Sequence, residues 1–474
     1  MKILFAASEA DPFIKTGGLG DVAGALPRAL ASEGQDIRVI LPLYEDIPFK
    51  YREKMVFLGA TDVWLGWRRQ YAGALCLKQD GVTYYFVDNE YYFKRRGIYG
   101  FYDDGERFAF FAKAVLELMS VTGFYPDVLH VNDWQSALAP LMLDVFYRDR
   151  SEYANIRTML TIHNIEFQGN MDKFVIGDVF GLPESHAKIA EYKGDANMLK
   201  AGIESADKVV TVSPTYAKEI LDPYFAYGLE HILQERQYKL SGILNGIDTV
   251  KYDPLKDKAL FQNYSAKSLA RRKKNKAGLQ TLIGLPQCDK PLIGMVTRLT
   301  SQKGIDLLLH VIEDILVMDL QLVILGTGDW KYENALQELA ARYPKKLAAI
   351  ISFSADLASK IYAGSDIFLM PSKYEPCGLS QLIAMRYGSV PVVRETGGLK
   401  DTVIPYNPTD GTGTGFTFKT YNAYDMLDAV RRAVATYENG EEWKKIMSNA
   451  MSADPSWDKS ARDYIEVYKS ILNK

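Results

Sequence analysis

Lys15-Thr16-Gly17-Gly18-Leu19-Gly20-Asp21-Val22 follows an apolar run at residues 3–7 and opens a stretch with helical spacing. A strand therefore delivers a glycine-rich turn onto a helix N-terminus, where the first N–H groups lack intrahelical partners and carry the positive end of the dipole. Glycine removes the side chain that would keep an anion at a distance, and Lys15 adds a mobile positive charge. The spacing is neither the dinucleotide G-x-G-x-x-G nor a phosphate loop closing on Gly-Lys-Ser/Thr. A second turn of the same kind, Glu395-Thr396-Gly397-Gly398-Leu399-Lys400-Asp401, follows the apolar run 390–393. Two such turns far apart in one chain point to two similar domains.

Length agrees, because 474 residues exceed the ~250–300 at which a single core stops growing. Apolar, β-branched runs at 3–7, 37–41, 128–131, 158–162 and 208–212 alternate with helix-like stretches, and a second series at 292–296, 322–325, 349–352, 367–370 and 390–393 follows a basic segment at 270–276. Continuous apolar runs of this length fit parallel strands buried on both faces. The fold class read from this pattern is α/β, with two Rossmann-like doubly wound domains. The basic segment 270–276 reads as a solvated helix face. Ile465, Tyr468, Ile471 and Leu472 stand at helical spacing and predict a terminal helix over 457–472.

A net charge of −3 leaves no global basic surface, which argues against nucleic acid and against a polybasic membrane anchor. No stretch reaches the ~20 apolar residues of a membrane helix, and the N-terminus lacks the apolar core of a signal peptide, so a cytoplasmic protein without membrane contact is expected. Cys76, Cys288 and Cys377 have neither disulfide nor metal spacing, which favours a reducing compartment. The five histidines form no H-x-H or H-x-x-x-H pair; no metal site and no cofactor are expected. Cys377, although two residues from Glu375, reads as packing.

Ligands of open parallel sheets bind at the carboxyl ends of the strands. The polar residues of this chain gather there, at 130–134, 163–166, 298–303, 326–329, 353 and 371–378. Two such sheets facing each other would make the cleft between domains the natural site.

These segments carry a family resemblance. The chain resembles the bacterial glycogen synthases, and is similar to plant starch synthases, through six motifs in order: the Lys15 loop; His-Val-Asn-Asp-Trp at His130; Thr-Ile-His-Asn at Thr161; Leu-Asn-Gly-Ile-Asp at Leu244; Thr-Arg-Leu-Thr-Ser-Gln-Lys-Gly at Thr297; and Pro-Ser-Lys-Tyr-Glu-Pro-Cys-Gly-Leu-Ser-Gln at Pro371. The resemblance runs from Lys2 to the terminal helix. It implies the GT-B arrangement of two domains about a cleft, here an N-terminal acceptor-side domain at 1–240 and a C-terminal donor-side domain at 241–455. The helix at 456–474 is assigned to pack back on the first. It also implies retaining transfer of glucose from ADP-glucose to the non-reducing 4-hydroxyl of glycogen or another α-1,4-glucan. Two alternatives stand beside it: another retaining GT-B transferase using UDP-glucose or a small acceptor, and a catalytically silent glucan-binding protein. The intact set Lys15, His163, Arg298, Lys303 and Glu375 weighs against the silent one.

A sugar nucleotide leaves as a diphosphate, so a site without metal must meet growing negative charge with cations and N–H dipoles. Arg298 and Lys303, five apart on a turn entering a helix, suit that task, and the resemblance puts the matching pair on the diphosphate. Lys15, Gly17 and Gly18 would approach the same phosphate from the first domain. The resemblance also implies donor positioning and charge stabilisation for Glu375, with Gly378 and Leu379 of the same motif on the donor. Related retaining transferases often carry a second glutamate eight residues on; here that position is Ile383, as in glycogen and starch synthases, so the ribose contact has no assigned residue. His163 is implied to contact the donor glucose, with the reacting carbon near its backbone carbonyl; a strand-end histidine can equally be packed. Asn245 is carried over to the donor sugar and Asp133 to the acceptor side, although an aspartate there also suits a helix cap. Phe353 falls where the family has an aromatic ring on adenine, commonly tyrosine; phenylalanine keeps the face and lacks the hydroxyl. Gly326 begins a tight turn that could admit the nucleotide or serve only as a turn. The segment 91–102 is dense in aromatics and cations, which suits sugar faces, and Tyr99 is its best acceptor candidate.

Overall fold

The computed structural model describes residues 1–473, and all counts refer to these. The chain divides into two units, Met1–Asn245 with the segment from Trp457 onward, and Gly246–Ser456.

Unit 1 contains β1 (Lys2–Ala6), β2 (Asp36–Pro42), β3 (Val56–Leu65), β4 (Arg68–Gln79), β5 (Val82–Asp88), β6 (Val128–Asn132), β7 (Arg157–Ile162), β8 (Asn170–Asp172), β9 (Glu191–Tyr192), β10 (Asp195–Asn197), β11 (Lys208–Thr211) and β12 (Leu240–Gly242). Its main sheet runs β12-β11-β7-β6-β1-β2-β5-β4-β3, with β8-β10-β9 a separate small sheet. Ile3, Phe5 and Ala6 of β1 are wholly enclosed, as a strand covered by helices on both faces requires. β1 lies between β2 and β6, both parallel to it, so the order of strands reverses beside it. The antiparallel β3–β4–β5 extension was not among the expected strands. Its β4–β5 turn, Asp80-Gly81, has φ of 50° and 81°, the paired left-handed geometry that lets a two-residue loop match strand twist.

The helix Trp457–Leu472 belongs to unit 1. Tyr468 OH lies 2.8 Å from His130 Nδ1, and Ser460 Oγ donates to Leu244 O. Because Thr161 Oγ1 takes up the other ring nitrogen of His130 at 2.7 Å, this histidine is a packed core residue.

Unit 2 contains β13 (Leu292–Val296), β14 (Gln321–Leu325), β15 (Leu347–Ile350), β16 (Ile367–Met370), β17 (Val390–Arg394) and β18 (Phe416–Phe418), all parallel, in the order β15-β14-β13-β16-β17-β18. This is a doubly wound sheet whose chain switches direction between β13 and β16. β15 begins two residues before the expected run, because Leu347 and Ala348 are the residues that turn inward. One face is packed by Leu308, Ile312 and Ile315 of the helix Ile305–Val317 with Met426 and Val430, the other by Leu279, Ile361 and Leu382. In Ile305–Val317 the buried positions 305, 308, 311, 312 and 315 keep the spacing of one helical face. The α/β class with two Rossmann-like sheets is thus the observed one.

Candidate active site

In unit 1 the loop after β1 enters the helix Gly18–Ser32 through Gly17, an N-cap in extended conformation with no side chain to cap the first N–H groups. A Cβ on Gly20 would strike Lys15 Cβ at 2.4 Å, so that glycine answers to packing. Gly18 faces open space, with no atom within 4 Å of such a Cβ. Lys15 Nζ lies 2.6 Å from Asp21 Oδ1 on the same turn. Within the loop sits a residue that sequence reasoning passed over: Glu9, 3 % exposed, accepts hydrogen bonds from Thr16 N and Thr16 Oγ1. Burial pushes the Glu9 carboxyl up, against the lowering pull of the Thr16 and Gly20 bonds. The only signal in sequence was an acid placed three residues after a strand end.

Asp133 and His163 come together at the ends of β6 and β7. Asp133 has a left-handed φ of 53°, uncommon for a residue with a side chain. Its carboxylate does not cap the helix it begins: Oδ1 accepts the His163 N–H at 2.7 Å. The aspartate thereby holds the peptide before the His163 side chain. Burial raises its pKa to about 7, opposed by the N–H groups of His163 and Asn164 and reinforced by the charge of Glu9. His163 Nε2 is 3.0 Å from Asn132 Oδ1. Asn132 donates its amide N–H to Ala6 O at 3.0 Å, so its oxygen faces the histidine and the imidazole proton sits on Nε2. Burial pushes the His163 pKa down to about 3, which keeps the ring neutral.

Tyr99 is built into the wall beside these groups: its hydroxyl is 2.7 Å from Ser8 Oγ, and its ring neighbours Phe108, which packs edge-on against Trp134. Much of its segment is spent on packing, with Tyr92, Phe93 and Ile98 buried and Arg95 paired to Asp103; Tyr91 and Tyr102 are the exposed aromatics. Asn245 is 8 % exposed, and its Oδ1 is buried with no hydrogen-bond partner among the described residues.

In unit 2 the turns after β13 and β16 flank the switch point. Gly304, at φ 75°, lets the first turn pass close to Pro371, since a Cβ there would stand 2.2 Å from Pro371 O, and Lys373 N donates to Gln302 O at 2.8 Å, joining the two turns. Lys303 Nζ and Glu375 Oε2 meet at 2.6 Å, and Ser372 Oγ donates to the same carboxylate oxygen at 3.0 Å. Ser372, 1 % exposed, was not singled out in sequence although it lies within the Pro371 motif. Arg298 is exposed, its guanidinium 3.4 Å from Gln302 Oε1. Between the two cations Thr300 Oγ1 is buried without a hydrogen-bond partner among the described residues.

The other expected donor residues of this unit are less enclosed. Gly326 is required by close approach, since a Cβ there would stand 1.8 Å from Thr297 O. Phe353 is 89 % exposed beyond the end of β15, with its face open for stacking. Gly378 has φ 73°, and a Cβ there would stand 2.5 Å from Gln381 Oε1; Leu379 is half-buried at the start of the helix Ser380–Arg386. No group of three His, Cys, Asp or Glu placed for a metal exists among the described residues.

What the arrangement can do is clear for unit 2: a carboxylate neutralised by one lysine, with an exposed arginine on the same turn, can receive a strongly anionic group without a buried unpaired charge. The starch synthase catalytic domain family matches residues 2–235, and the glycosyl transferases group 1 family matches residues 284–450. The chain is 50% identical over 477 residues to a glycogen synthase of Clostridium acetobutylicum and 48% identical over 480 to one of Clostridioides difficile, each alignment covering 100% of both proteins. It is also similar to the structure of the catalytic domain of starch synthase IV from Arabidopsis thaliana bound to ADP and acarbose, at TM-score 0.92 and 32% identity, covering 100% of this chain and 99% of that one. With the motifs at the strand ends, both family matches and end-to-end identity in agreement, the chain belongs to the glycogen synthase family of glycosyltransferases.

Proposed function

We propose that the protein transfers glucose from ADP-glucose to the non-reducing 4-hydroxyl of an α-1,4-glucan with retention of configuration. The observation that carries the reading is the Lys303–Glu375–Ser372 cluster at the strand-order switch of unit 2, with Arg298 on the same turn. Breaking the bond between glucose and diphosphate moves negative charge onto the leaving group, and preorganised cations meet it without reorganisation. Arg298 and Lys303 take this role. Glu375 receives the hydroxyls of the donor glucose, with Gly378 and Leu379 on the same turn, while Phe353 stacks on the base and Gly326 lines the nucleotide.

Unit 1 contributes Lys15, Gly17 and Gly18 to the donor phosphate. Asn245 offers an unpartnered oxygen to a sugar hydroxyl. His163, neutral, presents its ring and backbone carbonyl to the donor glucose without adding a like charge to an oxocarbenium-like carbon. Asp133 and Tyr99 serve the acceptor. A nucleotide-sugar donor and the thiols Cys76, Cys288 and Cys377 fit a cytoplasmic setting, and no described helix is long and apolar enough to cross a membrane.

Purified protein incubated with glycogen or a maltooligosaccharide and either ADP-glucose or UDP-glucose tests this. Stepwise addition of α-1,4-linked glucose with ADP-glucose as the better donor is expected. A preference for UDP-glucose, or donor consumption without chain growth, would refute it.

A further inference from the structure

The second Gly-Gly turn starts the helix Gly397–Thr402, and its glycines are needed for close approach to the backbone that carries Glu375. A Cβ on Gly397 (φ 44°) would lie 1.9 Å from Glu375 O, and one on Gly398 2.1 Å from Cys377 O. In that space Gly398 N–H donates to Glu375 O at 3.1 Å and to Pro376 O at 3.2 Å. Thr402 Oγ1 donates to Gly398 O at 2.6 Å and accepts from Gln381 Nε2 at 3.1 Å. The same amide nitrogen donates to Gly378 O at 2.8 Å and to Cys377 O at 3.2 Å. Gln381 is 0 % exposed, and its Oε1 is buried with no hydrogen-bond partner among the described residues. The two N–H groups of the amide thus serve three acceptors, one of them shared, and fix the side chain even at the cost of an unsatisfied oxygen. These bonds close a ring around residues 375–378, running from Gly398 to Glu375, from Thr402 to Gly398, and from Gln381 to both Thr402 and Gly378.

The Glu375 carboxylate is held from the other side by Lys303 and Ser372, so its reach is set at both ends. We propose that Thr402 and Gln381 are positioning residues for glucosyl transfer, fixing the Glu375 backbone so that its carboxylate meets the donor sugar in one geometry. The proposal rests on the reading of Glu375 as a donor-contacting group. Neither residue touches the donor; both act through the 375–378 backbone. An error on the order of 1 Å at a reacting group can cost up to roughly 100-fold in rate.

The test pairs Thr402→Val, which keeps the shape and loses the hydroxyl, with Thr402→Ser, which keeps the hydroxyl. Each is made in the wild-type chain and in Glu375→Gln, and kcat and acceptor KM are measured with radiolabelled ADP-glucose and glycogen. In the wild-type background Thr402→Val should lower kcat about 10-fold with acceptor KM within about twofold. Thr402→Ser should stay near the parent. In the Glu375→Gln background Thr402→Val should change kcat less than about twofold, because the group being positioned is already gone. Gln381→Met, which loses both hydrogen-bonding ends, should repeat the pattern and serves if Thr402→Val folds poorly. The clamp alone is overturned by equal losses in both backgrounds, by Thr402→Ser being as slow as Thr402→Val, or by an undiminished kcat in Thr402→Val. Full turnover in Glu375→Gln itself would overturn the reading of Glu375, and the clamp with it.

Discussion

Replacing Lys303 by alanine removes one partner of a close ion pair and, on the proposed reading, one cation from the diphosphate, and the two consequences can be separated. Lys303 Nζ is 2.6 Å from Glu375 Oε2, with side-chain exposures of 16 % and 9 %. Lysine removal strands the Glu375 carboxylate beside the Ser372 hydroxyl, which still donates to it. Breaking a buried pair from one side costs about 3–5 kcal/mol; because Lys303 keeps some contact with solvent, about 2–3 kcal/mol of stability is expected here. Catalysis should lose a further interaction, one that strengthens as the bond to the diphosphate breaks, worth about 3 kcal/mol or roughly two orders of magnitude in kcat. Adding Glu375→Gln to Lys303→Ala removes the stranded charge. The double variant should therefore regain stability to within about 1 kcal/mol of wild type and remain as slow as Lys303→Ala or slower. Urea unfolding midpoints and initial rates of glucose incorporation into glycogen at saturating ADP-glucose read the two quantities. A double variant that recovered turnover would show that the slow rate came from the stranded glutamate rather than from the missing cation. A Lys303→Ala kcat within about threefold of wild type would refute the assignment outright.

Burial raises Asp133 to about 7, above the ~3.9 of an unfolded aspartate, so the folded state binds its proton more tightly. That contribution is fully present below pH ~4 and lost as pH rises toward 7; Asp133→Asn, which still accepts the His163 N–H, should gain on wild type over this window in urea unfolding, and a pH-independent difference would contradict the assignment. His163, pushed down to about 3, should show the neutral Nε2–H tautomer in nitrogen NMR from pH 8 to pH 4.5, and a titration above pH 5 would contradict its enclosure.

The parts of this molecule legible in sequence are those where one physical requirement dominates. β1, β13 and β16 are enclosed on both faces, so they read as unbroken apolar runs, and the chain must place its polar chemistry at their ends. Lys303 and Glu375, 72 residues apart, meet because β13 and β16 are neighbours in the sheet. The β3–β4–β5 extension was illegible because β3 is an edge strand whose exposed Val56, Phe57, Leu58 and Trp64 break the inside–outside alternation. Asp133 shows the other limit. Its residue type suits a helix cap, and only the tertiary proximity of β7 turns its carboxylate to the His163 peptide.

The two Gly-Gly turns that suggested a repeated domain carry the sharpest form of this limit. Both start helices after parallel strands, yet their glycines answer to different neighbours. At Gly18 there is open space, and the buried carboxylate of Glu9 already draws on the N–H groups around it. At Gly397 and Gly398 the space is filled by the backbone of Glu375 and Cys377. A helix N-terminus attracts an oxygen in either case, and a carboxylate or a peptide carbonyl from the chain itself satisfies it as well as a phosphate does. The pattern in sequence therefore identifies where an electron-rich oxygen will sit, and the surrounding fold decides whose oxygen it is. In the first turn the phosphate proposed to bind there would share the N–H groups with Glu9. In the second the oxygen belongs to Glu375, the residue proposed to meet the donor sugar, so on that proposal the turn acts on the reaction by holding Glu375 in place.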